Sequence, residues 1–184
     1  MFRRRIPHGW YRRIRDFFWP RSGWRRSSTY VAHRIGRLPG TSYSIAAGFA
    51  CGAAVSFTPL IGFHFALAAL LALLVRGNLL ASALGTAVGN PWTFPGIWLV
   101  TYRLGSLVSG QPAEGLTPER LTLMLIVEQP GQVFLPMMVG GTLVGIVAWF
   151  VFFFPVRAAV SAYRARSLMR RTKKARHRKL ELEA

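Results

Sequence analysis

The sequence has few acidic residues, and their positions leave a long stretch without any. Only six of the 184 residues are Asp or Glu, and none lies between Phe17 and Ala113. Basic residues are also scarce there, because eleven of the 24 Lys and Arg lie within residues 1–37 and ten within residues 157–179. A soluble domain must cover its core with a polar surface and rarely runs so far with so few charges. We therefore predict an integral membrane protein whose net charge of +18 is concentrated at its two ends.

Cysteine and catalytic motifs are equally scarce. Cys51 is the only cysteine, which excludes an intramolecular disulfide and a thiolate metal cluster. The sequence has no Ser–His–Asp set, paired carboxylates, phosphate-binding loop or His/Cys cluster. The basic start of the chain is not followed by an apolar run of the length that a signal peptide needs. We expect no enzymatic activity, no metal, no other cofactor, and a membrane destination rather than a secreted one.

What the sequence does contain is three apolar stretches, of which the first two are interrupted. Residues 45–75 and residues 79–108 each carry a break near the middle, at an offset of about 33 residues that indicates a weak internal repeat. The breaks contain Pro59 and Gly62 in the first unit, and Pro91 and Pro95 in the second. The helical arms of the first unit would be ~20–24 Å long, short of the ~30 Å hydrocarbon core. Each unit is therefore either one kinked helix or two half-helices that meet at a tip inside the membrane.

The third stretch, residues 133–154, gives 22 uncharged and mostly apolar residues, enough for a conventional transmembrane helix. We predict an all-α integral membrane fold, in which two broken or re-entrant helical units precede one full transmembrane helix. The predicted segments are a basic amphipathic interfacial lead-in (1–44), the membrane domain (45–154) with an external acidic linker (110–131), and a basic cytoplasmic tail (155–184). In the lead-in, Trp10, Ile14 and Phe17 recur at helical spacing, which favours an interfacial helix over a disordered arm that binds nucleic acid.

The distribution of positive charge predicts the orientation. Positive residues next to membrane segments stay in the cytoplasm, and such residues flank the first and the last segment. Both termini are therefore predicted to be cytoplasmic, in the bacterial inner membrane. In the simplest solution, residues 45–75 form a re-entrant hairpin that returns to a cytoplasmic turn at Arg76 and Asn78, and residues 79–108 cross outward. Other assignments of the half-helices remain open.

Polar side chains at or near the breaks are the candidates for a binding site at the membrane midplane. They are His64, Thr86, Asn90 and Arg103. A structural role competes for each, because His64 and Asn90 can bond the carbonyls that a break sets free, and Arg103 can extend to the lipid headgroups. The functional alternative is contact with a ligand, anionic for Arg103, with His64 also able to relay protons.

Several motifs occur together in one order. They are Thr58-Pro59-Leu60-Ile61-Gly62-Phe63-His64, then Arg76-Gly77-Asn78, Asn90-Pro91-Trp92-Thr93 and Tyr102-Arg103-Leu104-Gly105. This order resembles the bacterial membrane domain called domain of unknown function 2062, over about residues 30–160. The resemblance implies a small multi-pass inner-membrane protein without an established activity, and it adds no mechanism.

Two classes of function follow from the sequence. The first is the handling of a small solute, an anion or a lipid at a site between the broken helices. The second is a non-catalytic membrane scaffold whose basic ends bind anionic phospholipid headgroups or a cytoplasmic partner. The lipid bilayer is the expected surrounding, and the chain length is compatible with a monomer or a homo-oligomer. We expect no specific nucleic-acid partner, although the basic tails could touch RNA nonspecifically.

Overall fold

The structure is a computed structural model that describes residues 38–110 and 130–183, and these residues form helices and turns without a strand. Residues 1–37 of the predicted lead-in and residues 111–129 of the predicted acidic linker lie outside the described residues. Five α-helices are present in the described ranges: α1 Ser42–Val55, α2 His64–Leu74, α3 Leu79–Gly85, α4 Phe94–Ser109 and α5 Leu135–Glu183. A 3-10 turn, Thr86–Val88, extends α3, and a π-helical turn, Pro130–Phe134, precedes α5.

α1 lies at the centre of the fold, with nine of its 14 residues buried. Its sequence is rich in Ala and Gly, which allows neighbouring backbones to approach it closely. A Cβ atom added at Gly48 would lie 2.8 Å from the Asn78 nitrogen, and one at Gly52 would lie 2.8 Å from the Thr86 nitrogen. Gly48 thus meets Asn78, just before α3, whereas Gly52 meets Thr86, just after α3. The two helices therefore run parallel, with their backbones in contact.

α1 and α2 form a helical hairpin whose two ends lie side by side. The Tyr43 hydroxyl donates to the Val75 carbonyl at 3.2 Å, and the Asn78 N–H donates to the Ser44 carbonyl at 2.7 Å. Gly62 occupies the tip in the left-handed region, with φ of +90°. The chain therefore turns back at the first break and returns to the level at which α1 begins, as a hairpin and not as a kinked rod.

α4 follows a different course from α2. A Cβ atom at Gly105 would lie 3.0 Å from the Gly140 nitrogen, and Gly105 also approaches Pro136, while Gly140 approaches Thr101. α4 and α5 are therefore antiparallel, and they meet near the beginning of α5. Gly141, the next residue of α5, approaches Phe57 at the end of α1. The second unit thus continues past the level of the first break, whereas the first unit turns back there.

α5 is a single helix of 49 residues, which is longer than the sequence suggested. The predicted transmembrane helix ended at residue 154, and in the structure the helix continues through Pro155 into the residues predicted as the basic tail. Trp149 donates to the Cys51 sulfur at 3.4 Å and Phe153 packs edge-on against Tyr43, so α5 runs antiparallel to α1. Beyond the proline, Val160 and Arg164 keep the same face towards the start of α1, because they follow Phe153 at roughly helical spacing. The proline costs one backbone hydrogen bond, and its ring lies on the exposed side.

One helical stretch of the described chain, Gly131–Arg170, is long and apolar enough to cross a membrane. α1, α2 and the stretch Leu79–Val88 are apolar but shorter. Their lengths of 14, 11 and 10 residues follow from the two breaks and from the turn between α2 and α3, which together keep each helix short of a spanning length.

Candidate functional site at the two helix breaks

The two breaks lie side by side. The Ser56 hydroxyl at the first break donates to the Thr86 carbonyl of the second unit at 3.1 Å. The imidazole of His64 stacks on the Phe94 ring, with centroids 6.0 Å apart and planes at 22°. The C-terminal ends of α1 and α3 and the N-terminal ends of α2 and α4 therefore meet in one region of the molecule.

Side chains bond the carbonyls that the first break sets free. The Ser56 hydroxyl also lies 3.0 Å from the Gly52 carbonyl, and the Thr58 hydroxyl donates to the Val55 carbonyl at 2.8 Å. His64 is half-buried, and its Nε2–H donates to the Thr58 carbonyl at 3.2 Å. This geometry gives His64 the structural role that the sequence allowed, because the ring ties the start of α2 to the tip of the hairpin.

The second break is organised by Asn90 and Thr93. Asn90 Oδ1 accepts the N–H groups of Trp92 at 3.0 Å and Thr93 at 3.1 Å, and Nδ2 donates to the Ala87 carbonyl at 3.3 Å. The Thr93 hydroxyl donates to the Val88 carbonyl at 2.7 Å. An Asn and a Thr three residues apart therefore bond the last carbonyls of the 3-10 turn and the N–H groups of the turn that leads into α4. Thr93 was not among the predicted site residues, although it belongs to the motif Asn90-Pro91-Trp92-Thr93.

Thr86 and the four predicted break residues differ in how deeply they are buried. Thr86 is buried, and its hydroxyl donates to the Ala83 carbonyl at 2.7 Å. Pro59 is buried, whereas Gly62, Pro91 and Pro95 are exposed. Buried proline and exposed tip residues are consistent with a hairpin whose inner side packs on the helices and whose outer side is open.

α4 carries two buried donors that have no hydrogen-bond partner among residues 38–110 and 130–183. They are Trp98 Nε1 and the Ser106 hydroxyl, with 8% and 0% of the residue exposed. The Trp98 ring stacks on Phe94 with centroids 5.7 Å apart, so it continues the aromatic stack that begins at His64. An unpaired buried donor is costly, and a ligand or an ordered water that accepts from it would remove that cost.

Arg103 is exposed and does not lie beside His64 and Asn90. It follows Phe94 by nine residues, about 14 Å along the helix axis. Its guanidinium has no hydrogen bond or ion pair with residues 38–110 or 130–183. Within these residues no three His, Cys, Asp or Glu side chains come close enough together to hold a metal ion.

The predicted turn at Arg76 and Asn78 lies at the other end of α1, away from the breaks. Asn78 caps α3 by accepting the Ala81 N–H at 2.9 Å, and its amide donates to the Pro39 carbonyl at 2.7 Å. Arg164 of α5 reaches the same end, where it donates to the carbonyls of Leu38 and Gly40 at 3.0 and 2.6 Å. The first residues of α1, the turn after α2 and the beginning of the basic tail therefore share one end of the molecule.

Comparison with known proteins gives one match. A family model described as "Uncharacterized protein conserved in bacteria (DUF2062)" matches residues 25–169, which is well over half of the chain and includes both breaks. The curated proteins and the solved structures gave no match.

Proposed function

We propose that this chain, which belongs to the DUF2062 family of bacterial proteins, is a multi-pass protein of the inner membrane that holds a small ligand beside its two helix breaks. The observation that carries the proposal is the meeting of the two breaks, joined by the bond from Ser56 to Thr86. Paired helices interrupted by Gly and Pro are a recurrent way to build a polar site inside a membrane. The ligand is a small solute, an anion or a lipid headgroup.

The proposed membrane placement rests on helix length and charge. Residues 133–154 of the chain would span about 33 Å as a helix, close to the ~30 Å hydrocarbon core. Arg76 and Arg164 mark one end of the molecule, and Leu38, the residue that follows the basic segment 1–37 in the sequence, lies at the same end. Positive charge favours the cytoplasm. α1 and α2 would then be re-entrant, α3 with α4 would cross outward, and α5 would return.

Fusions to alkaline phosphatase test this topology, because the enzyme is active only outside the cytoplasm. A fusion after Gly115 should be active and one after Arg76 inactive. Active enzyme after Arg76 together with inactive enzyme after Gly115 would overturn the orientation.

The depth of the breaks supports a site that is open to water. Gly141 of α5 approaches Phe57 at the first break, and it follows Val133 by eight residues, about 12 Å along the helix. At such a depth in the membrane, non-helical backbone must be buried in protein or line a water-filled cavity, because its polar groups need hydrogen-bond partners. Ile61, Gly62 and Gly96 at the breaks are exposed. We infer a recess that opens towards the outer face.

The groups left without partners favour a ligand that accepts hydrogen bonds. α2 begins without a side-chain cap, so its first N–H groups and the positive end of its dipole face the break region. Trp98 Nε1 is a further donor, and no acidic residue occurs between residues 17 and 113. Arg103 lies beyond the break on α4 and would attract an anionic group from the outer side.

Thiol labelling of the protein in nanodiscs tests the recess. In a Cys51→Ala background, Gly96→Cys places a thiol where nothing lies within 4 Å of the new Cβ. Leu143→Cys is the matched control, since Leu143 is 41% exposed, lies two residues from Gly141 on α5 and would face lipid in the proposed placement. A charged, membrane-impermeant maleimide should modify the Gly96→Cys variant much faster than the Leu143→Cys variant. Equal rates would show that no aqueous recess exists.

The same assay tests the ligand class. Inorganic phosphate and a short-chain phosphatidylglycerol are added separately, and slower labelling of the Gly96→Cys variant reports occupancy of the recess. Protection by phosphate indicates a small anion, and protection by the lipid alone indicates a headgroup. Arg103→Gln should weaken the protection and Arg103→Lys should retain most of it. Protection that is unaffected by Arg103→Gln would remove Arg103 from the proposal.

A second candidate function, a membrane scaffold, is favoured by α5. The helix continues for 27 residues beyond Val156 and carries ten Lys and Arg residues there. Such a tail can bind anionic lipid or a cytoplasmic partner. Loss of the cellular role on removal of residues 166–184, with no effect of His64→Gln or Arg103→Gln, would favour the scaffold over the binding site.

A further inference from the structure

The basic tail of α5 is a straight continuation of the apolar helix. α5 packs against α1 and the residues before it through Trp149, Phe153, Val160 and Arg164, on both sides of Pro155. Because one face of α5 is kept towards α1 over these residues, the proline does not redirect the helix. Between Leu168 and Ala175, every residue whose side chain the structure describes is exposed.

This straightness places most of the tail charge far from the bilayer. If the apolar part of α5 ends at Val156, then Arg170 lies about 21 Å and Lys179 about 35 Å further along the helix axis. Charges in solution are screened over ~8 Å at physiological ionic strength. Arg157 and Arg164 are close enough to interact with headgroups, but the charges from Arg170 onward are not.

The charge density of the distal tail matches a polyanion of repeated phosphates. Residues 166–179 contain eight Lys or Arg and no acidic residue in 14 positions. As a helix of about 21 Å, this segment carries one positive charge per ~2.6 Å, comparable with the one phosphate per ~1.7 Å of duplex DNA. Interfaces between proteins have charge-depleted cores, and this segment offers few apolar anchors besides Leu168 and Met169.

We propose that residues 166–179 form a sequence-independent binding surface for the phosphate backbone of RNA in the cytoplasm. The tail would hold RNA away from the membrane surface, at a distance set by the rigid helix. This inference names the partner of the scaffold candidate and rests on that function alone, independently of the site at the breaks.

The test uses the full-length chain in nanodiscs and a fluorescein-labelled 20-nucleotide single-stranded RNA, with binding followed by fluorescence anisotropy. Both faces of a nanodisc are accessible, so the membrane orientation does not affect the result. Each neutralised phosphate of a single strand contributes about −0.7 to the slope of log Kobs against log salt, and eight contacts would give a slope near −5.6. We expect the affinity to fall about 10³-fold between 50 and 200 mM salt.

Two variants isolate the tail. Replacing Arg166, Arg170, Arg171, Lys173 and Lys174 by Gln should reduce the slope by about 3.5 and the affinity by at least 100-fold, although the basic residues of 1–37 remain. The charge-conserving set Arg166→Lys, Arg170→Lys and Arg171→Lys should bind nearly as well as the parent. Equal binding by the Gln variant and the parent would overturn the proposal.

The alternative partners are the bilayer and acidic proteins. Ala165→Pro breaks the helix before the distal charges and should let the tail fold onto a disc that contains phosphatidylglycerol. In such discs Ala165→Pro should bind RNA more weakly than the parent, and in phosphatidylcholine discs the two should bind alike. If the parent and the Ala165→Pro variant bind RNA equally weakly in the anionic discs, relative to phosphatidylcholine discs, the bilayer is the partner of the tail. Polyglutamate that competes as well as unlabelled RNA would contradict recognition of a phosphate backbone.

Discussion

The close contact between α1 and α3 predicts that Gly52→Ala destabilises the fold. A Cβ at this position would lie 2.8 Å from the Thr86 nitrogen and 2.9 Å from the Gly85 carbonyl carbon, and it would come still closer to the Ser82 carbonyl oxygen. Ordinary van der Waals contact begins at 3.4 Å, so the helices would have to separate by at least about 0.6 Å. The opposing atoms all belong to the backbone, which no side-chain rotation can move away.

The expected change in the free energy of unfolding combines three contributions. Overpacking of a close contact costs ~1–3 kcal/mol, and strain on the bond from Ser56 to Thr86, one turn away, can add about 1 kcal/mol. The higher helix propensity of Ala offsets about 1 kcal/mol. We expect the free energy of unfolding to fall by about 1–3 kcal/mol.

Unfolding in mixed micelles, titrated with sodium dodecyl sulfate and followed by tryptophan fluorescence, measures this change. Gly96→Ala is the matched control, because nothing lies within 4 Å of its added Cβ and it is also helical. The control should be as stable as the parent or more stable by up to about 1 kcal/mol. Equal stability of the Gly52→Ala and Gly96→Ala variants would refute the backbone contact between α1 and α3.

Three further predictions concern hydrogen bonds, and the same titration measures them. Asn90→Ala removes the acceptor of two N–H groups and should lower the free energy of unfolding by about 1–2 kcal/mol, whereas Asn90→Asp should lower it less because the acceptor remains. Asn78→Ala removes the cap of α3 and the bond to Pro39, with a loss of about 1–2 kcal/mol and faster hydrogen exchange at Ala81; unchanged exchange would contradict the cap. Arg164→Gln removes the donors to Leu38 and Gly40 and should cost ~0.5–1.5 kcal/mol, while Arg166→Gln, in the exposed part of the tail, should cost nothing measurable.

The positions of the breaks were predictable because proline and glycine act locally. Pro59 and Pro91 end their helices through their missing N–H and their rings, wherever the rest of the chain lies. The structural roles of His64 and Asn90 were also foreseen as alternatives, since a break frees carbonyls that nearby side chains can bond. Membership of the DUF2062 family was recognised from the order of the motifs and is confirmed by the family match.

The unpaired donors on α4 could not be foreseen. The buried Nε1 of Trp98 has no partner within the described residues, and this depends on which side chains surround it. Ser106 lies in an apolar arm, and its complete burial depends on how that arm packs. The distance of Arg103 from the breaks likewise depends on the direction in which α4 leaves the second break.

By itself the sequence determined the apolar stretches, their interruption and the segregation of charge to the two ends, because each depends on residue type and order alone. Only the tertiary structure decided that α1 and α3 run parallel, that the first unit turns back while the second continues, and that Pro155 leaves α5 in one piece. The physical reason is that α1 is rich in Ala and Gly and is buried on most sides, so that no polar face marks its orientation. Its partners are selected by glycine contacts such as Gly52 against Thr86, which no periodicity along the chain reveals.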